Sequence, residues 1–456
     1  MLPHWRDWEA RLRRRPHVYL HIGAMKTGTT YLQGLLVANK ARLADAGYLF
    51  PGERWTDQSR AAADVLGFSL ADPRRRASVE GRWDRIVREM LAHRGRGKKA
   101  SIFSMEFLSF ADTEQATRIL DSLSDAHVEV ILTVRDTVST IPAQWQTSCR
   151  NGGKVPYRRF VFGVRDALVQ HGTEGRASKP VRLFRRTQDI ERMLDVWVPL
   201  LGPRRVHVVT VPPRGSDPAL LWHRFASVVG VDPDVCEQPG DASNSSLGHA
   251  STELMRLINK RLDLAPTDYA LLVKGPLARR ILGSRASQEQ PIRMNRRGHV
   301  FGVRWNRLMR KAIERHGVAV VGSLDDLDVT RPGKDLRRRL PRATPEEIVA
   351  AAVHARDGLV ALRDQLRTEL PDASASEKAL DVKVLRLPHL PVAPVTAPDR
   401  WDGQPDPLDA AVQELVALVE ECVAVSHEKL LPGGATGLTG IQGTADADSD
   451  LAAPSP

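Results

Sequence analysis

The stretch HVYLHIGAMKTGTTYLQGLLVANKARLADAG, residues 17–47, decides the fold. Its first seven residues, His17 to Gly23, form a short apolar and β-prone run, which predicts a buried strand. Leu32, Leu35, Leu36 and Leu43 then recur with helical spacing, and Gly47 supplies the stop. Between strand and helix lies Gly23-Ala24-Met25-Lys26-Thr27-Gly28-Thr29-Thr30. Such a loop turns successive backbone N–H groups and the positive end of a helix towards one point, which suits a phosphate or sulfate.

Working outward, further strands are expected at 100–105, 127–134, 181–184 (VRLF) and 205–211. Helical patterns lie near 80–94, 112–123, 137–151, 188–200 and 217–229. Strands alternating with helices predict an α/β core over 17–246, with a mostly parallel sheet flanked by helices. From about 247 the texture changes, and long helical patterns at 268–284, 299–316 and 344–370 predict a helical C-terminal extension over 247–385. The run VAVV (318–321) interrupts them. A basic arm occupies 1–16, and a proline-rich linker followed by an amphipathic helix spans 386–432. The tail 433–456 has no aromatic or basic residue and is expected to be disordered.

The 456 residues carry 66 basic against 55 acidic side chains, a net charge of +11, and 42% are hydrophobic, so wholesale disorder is excluded. Only 13 of the 66 basic residues are lysine, an arginine bias that weakens the charge as a nucleic-acid signal. Aromatics at 5% and the lack of a recognised motif also disfavour a nucleic-acid module, whereas an anionic ligand fits the positive balance. No run reaches the ~18 apolar residues of a membrane span. The N-terminal segment has no apolar leader region, and a cytoplasmic protein is expected. Cys149, Cys236 and Cys422 are too scattered for a disulfide framework or a CxxC metal site. The histidines form no ligand cluster in the sequence, so no metal is expected.

Gly23 and Gly28 have the spacing of the two Walker glycines, but Thr29 stands where that pattern requires lysine, and Lys26 precedes the second glycine. No well-placed Walker B carboxylate follows, because HVEVILTV ends in Arg135. A nucleotide triphosphatase is therefore disfavoured. Lysine inside the loop, followed by Thr-Gly-Thr-Thr, resembles the 5′-phosphosulfate-binding loop of sulfotransferases, which use 3′-phosphoadenosine 5′-phosphosulfate (PAPS). HIGAMKTGTTYLQ in particular is similar to the opening of bacterial sulfotransferase-family proteins, and the resemblance covers roughly residues 17–330.

The resemblance implies a P-loop-like fold in which Lys26, Thr27, Gly28, Thr29 and Thr30 hold the donor, with Lys26 also stabilising the leaving phosphate. It implies that Arg135, at the end of VILTV, binds the 3′-phosphate of the donor together with a serine eight residues later. That position is Ala143, and Ser139, one helical turn earlier, is the candidate replacement. Sulfuryl transfer to a hydroxyl or amine also needs a base, and Glu106 at the end of SIFSM fits that role. Ser104 is a weaker candidate for donor or acceptor contact. RRGHVFG (296–302) is similar to a 3′-phosphate glycine loop of cytosolic sulfotransferases, but it has one residue too many and lies in helical sequence. The sequence does not identify the acceptor: a carbohydrate, a glycolipid or a small hydroxylated metabolite all stay open, and pocket chemistry is expected to depend on variable loops such as 51–80 and 150–180. Two alternatives stay open: a degenerate family member that binds nucleotide or acceptor without transfer, and a P-loop nucleotide kinase or NTPase.

Overall fold

HVYLHIG and ASIFS become strands with both faces covered, the condition under which a parallel strand reads as continuously hydrophobic. The computed structural model describes residues 15–68, 76–77, 79–95, 97–166, 179–237, 247–329, 339–369, 400–401 and 403–430. The arm before residue 15, the stretches 69–75 and 167–178 of the two variable loops, the linker 386–399 and the tail from 433 lie outside the described residues.

Six strands form one sheet: β1 (His17–Gly23), β2 (Tyr48–Leu49), β3 (Ala100–Ser104), β4 (His127–Val134), β5 (Val206–Thr210) and β6 (Ala319–Val321). Their order is β2-β3-β1-β4-β5-β6, and every neighbouring pair is parallel. The protein is thus α/β, with helices flanking the sheet and a helical C-terminal part. On one face, Leu32, Leu35 and Leu36 of helix Thr29–Ala38 and Trp222 and Phe225 of helix Leu220–Val229 share a core with Tyr19, Ile102, Ile131 and Val209. On the other, helix Ile190–Leu201 packs on β4 and β5, and Trp83 meets Phe103 edge-on at 5.5 Å between ring centroids.

VRLF is not a strand. It lies in helix Lys179–Gln188, where Val181, Phe184, Thr187 and Gln188 are buried at helical spacing. VAVV instead supplies β6, and Asp326 just beyond it bonds Arg224 at 2.6 Å and Thr210 Oγ1 at 2.6 Å. RRGHVFG opens helix Arg296–His316 rather than a loop, and a Cβ on Gly302 would stand 2.6 Å from Val138.

The chain divides into two compact units, the first drawn from Met1–Thr140, Gly163–Asn244 and Gly298–Gly333 and holding the whole sheet. The second, from Ile141–Phe162, Ser245–Arg297 and Lys334–Pro456, is helical. Its helices Pro345–Glu369 and Pro407–Leu430 pack together through Ala355, Leu359, Leu415 and Cys422, all fully buried. Its segment Tyr269–Ile281 is π-helical. No helix among the described residues is long and apolar enough to cross a membrane.

Candidate functional site

From β1 the chain crosses to β2 on one side of the sheet, and from β4 it crosses to β5 on the other. The carboxyl ends of these adjacent strands therefore border a topological switch point, where ligands of open α/β sheets bind. The loop after β1 and Arg135 after β4 both emerge there, with Glu106 following β3 on the far side of β1.

The loop is held by its own backbone and by two neighbours, Thr133 and Gln188. The Ala24 N–H donates to Thr133 O at 2.9 Å, and Gln188 Nε2 donates to Met25 O at 2.6 Å. Thr27 is buried, and its hydroxyl donates to Ala24 O at 2.5 Å beside Thr133 Oγ1. That hydroxyl is turned inward, so Thr27 can offer a ligand only its backbone N–H. Lys26 has φ +65°, a left-handed conformation uncommon outside glycine, and its side chain is half-buried. Gly28 has φ +83° and caps helix Thr29–Ala38 with no side-chain hydrogen bond, so the first amides of the helix keep their donor capacity. A Cβ on Gly28 would also collide with Leu221. Thr29 is buried and Thr30 exposed.

Glu106 opens a 3₁₀ turn, and its Cβ lies 3.0 Å from where a Cβ on Gly23 would stand. Gln33, buried in helix Thr29–Ala38, donates to Glu106 Oε2 at 2.7 Å and to Ser104 O at 3.1 Å. Ser104 does not face the site: it is fully buried, and its hydroxyl lies 2.7 Å from His21 Nδ1. His21 Nε2 lies 3.3 Å from Thr133 Oγ1, which completes a buried polar chain from β3 through β1 to Thr27. Burial pushes the His21 pKa from 6.5 down to about 3, so the ring is neutral, with one nitrogen donating and the other accepting.

Arg135 is half-buried, and among the described residues its guanidinium has no hydrogen-bonding partner. The adjacent Asp136 is used elsewhere, because its Oδ1 accepts the Ser139 N–H at 2.9 Å and so caps helix Thr137–Arg150. Burial holds the Arg135 guanidinium below its usual value; Asp136 opposes this and Arg214, on the loop after β5, adds to it. Two like charges and partial desolvation at one sheet edge favour an anionic ligand. The amide of Thr137 is taken by Asn306 Oδ1 at 2.8 Å.

Gln33, Gln188 and Arg214 were not singled out from sequence. Gln33 alone carried a signal, as an amide on the leucine face of its helix. The expectation of no histidine cluster does not hold: β-pairing gathers His17, His127 and His207 around Glu129 at the opposite edge of the sheet. No family model, curated protein or solved structure matches the chain.

Proposed function

We propose that the protein is a sulfotransferase on a P-loop-like core, moving a sulfuryl group from PAPS to a hydroxyl or amine of a carbohydrate, glycolipid or small metabolite. The observation that carries this reading is the loop with a left-handed Lys26 at an uncapped helix start, together with an Arg135 at the end of the neighbouring strand β4 whose guanidinium has no hydrogen-bonding partner among the described residues. The loop amides and Lys26 receive the 5′-phosphosulfate, and Arg135 receives the 3′-phosphate, where a guanidinium suits planar phosphate oxygens. Glu106 takes the acceptor's proton as the new O–S or N–S bond forms. The bond from sulfur to the 5′-phosphate oxygen breaks, and Lys26 neutralises the charge left on that phosphate. Gln33 fixes the Glu106 carboxylate in position.

Ala143 favours a second reading, a binder without transfer, because it removes the hydroxyl expected beside Arg135. Thermal melts with adenosine 3′,5′-bisphosphate and with ADP, followed by an acceptor screen with labelled PAPS, separate the possibilities. Stabilisation by the bisphosphate together with label transfer supports the enzyme. Stabilisation without transfer supports the binder. A response to ADP and Mg²⁺ alone overturns both in favour of a kinase or NTPase.

A further inference from the structure

We propose that His17, His127 and Glu129 form a binding site for one borderline divalent metal ion, Zn²⁺ by its donor set, at the amino-terminal edge of the sheet, with His207 holding the far oxygen of the carboxylate. His17 and His127 open β1 and β4 and are direct partners across the ladder, while Glu129 pairs with Tyr19 and His207 with Ile131. Strand alternation places all four side chains on one face. His17 Nε2 lies 2.8 Å and His127 Nε2 3.3 Å from Glu129 Oε1, and His207 Nε2 bonds Oε2 of the same carboxylate. The ligand atoms of His17, His127 and Glu129 all fall within 4.8 Å of one another.

Metal–nitrogen and metal–oxygen bonds of about 2.0–2.2 Å in a tetrahedron put ligand atoms about 3.3 Å apart, the scale of these contacts. Two imidazole nitrogens face the same oxygen, Glu129 Oε1, and a divalent cation takes both lone pairs and the carboxylate together. Ring orientation is fixed, since His17 stacks on Tyr19 at 4.6 Å and meets His127 edge-on at 4.7 Å. Glu129 is 14% exposed and His127 49%, so the carboxylate is sheltered while an ion can still enter past His127. Imidazole-rich sets suit zinc over magnesium or calcium, and three protein ligands leave the fourth tetrahedral position to a water. The ion would tie together the starts of the adjacent strands β1 and β4. It sits at the opposite end of β1 from the loop, about 20 Å away at ~3.3 Å per residue, and takes no part in transfer.

The test uses full-length protein without a histidine tag, stripped with EDTA and titrated with Zn²⁺ by calorimetry. A parallel Co²⁺ titration is followed by its visible absorption. One ion per chain is expected, with a four-coordinate cobalt spectrum, a rise in Tm with Zn²⁺, and no response to Mg²⁺. The double variant His17→Ala/His127→Ala should lose at least about tenfold in affinity along with the Tm rise. His223→Ala, at an exposed site elsewhere, should keep both. A melt in EDTA establishes that the double variant is folded; should it not be, His127→Gln alone gives the same comparison. No stoichiometric binding by the wild type, or undiminished binding by the folded variant, would overturn the proposal and leave the reading of the β1 loop as it stands.

Discussion

Gln33 and Glu106 are joined by a 2.7 Å hydrogen bond that runs from the helix after the loop to the turn after β3. The same Gln33 amide nitrogen also donates to Ser104 O, so one buried side chain couples the helix that follows the loop to the candidate base. An amide that holds a carboxylate oxygen in this way fixes its orientation without delivering a proton to it. This is what a base needs, because effective proton transfer depends on placement first.

Glu106→Gln keeps the shape and the Gln33 contact while removing basicity. Donor binding should persist, measured by thermal shift with adenosine 3′,5′-bisphosphate, while turnover falls by ~10²-fold or more. Wild-type turnover in this variant would assign the base elsewhere. Gln33→Leu should lower kcat with little change in donor affinity, and Gln33→Glu should do so more strongly by setting two carboxylates together.

Lys26 combines a charge with a strained backbone, and the two can be separated. Lys26→Gly removes the ammonium but tolerates φ +65°, where a non-glycine residue pays ~1–2 kcal/mol. The Tm should therefore hold or rise slightly, while the affinity for the phosphosulfate group drops at least about tenfold, as expected when a charge-assisted hydrogen bond is lost. Equal donor affinity in the two proteins would remove Lys26 from the site.

Arg135→Ala should weaken adenosine 3′,5′-bisphosphate more than AMP. Losing a hydrogen bond to a charged group costs ~1.5–3 kcal/mol, so the preference for the bisphosphate should shrink by about tenfold or more. An unchanged ratio would place the 3′-phosphate on another cation, with Arg214 the first to examine because it acts electrostatically on Arg135.

Strands β1, β3, β4 and β5 were legible because each is a short run rich in apolar and β-prone residues that ends at a polar loop, and the loop after β1 could be located from its glycines. The two residues of β2 are too few to show a period. VRLF misled because four residues cannot separate a strand from a helix; over 179–188 the burial of Val181, Phe184 and Gln188 follows the helical repeat. At the site, Lys26, Glu106 and Arg135 could be placed at one sheet edge from strand order alone. The inward turn of the Thr27 hydroxyl could not, since it depends on Thr133, 106 residues away. The histidine–glutamate cluster was hidden for a similar reason: His17, His127 and His207 meet only through the parallel pairing of β1, β4 and β5.

His21 gives the fold a pH dependence whose sign follows from its burial. Its folded pKa of about 3 lies below the ordinary 6.5, so between those values the unfolded chain binds a proton that the native chain refuses. Stability is then fully present above about pH 6.5 and is lost as the pH falls towards 3. Between pH 7 and pH 5 this one group should withdraw about 2 kcal/mol. Other buried histidines contribute slopes of the same sign, among them His354 and His249, so the measurement is a difference. His21→Asn keeps a short side chain with one donor and one acceptor between Ser104 and Thr133, but it does not titrate. Urea melts of both proteins at pH 7 and pH 5 should show the wild type losing about 2 kcal/mol more than the variant. Parallel losses would mean that the His21 ring takes up its proton in the folded protein, and the neutral chain from Ser104 to Thr27 would have to be redrawn around a charged imidazole.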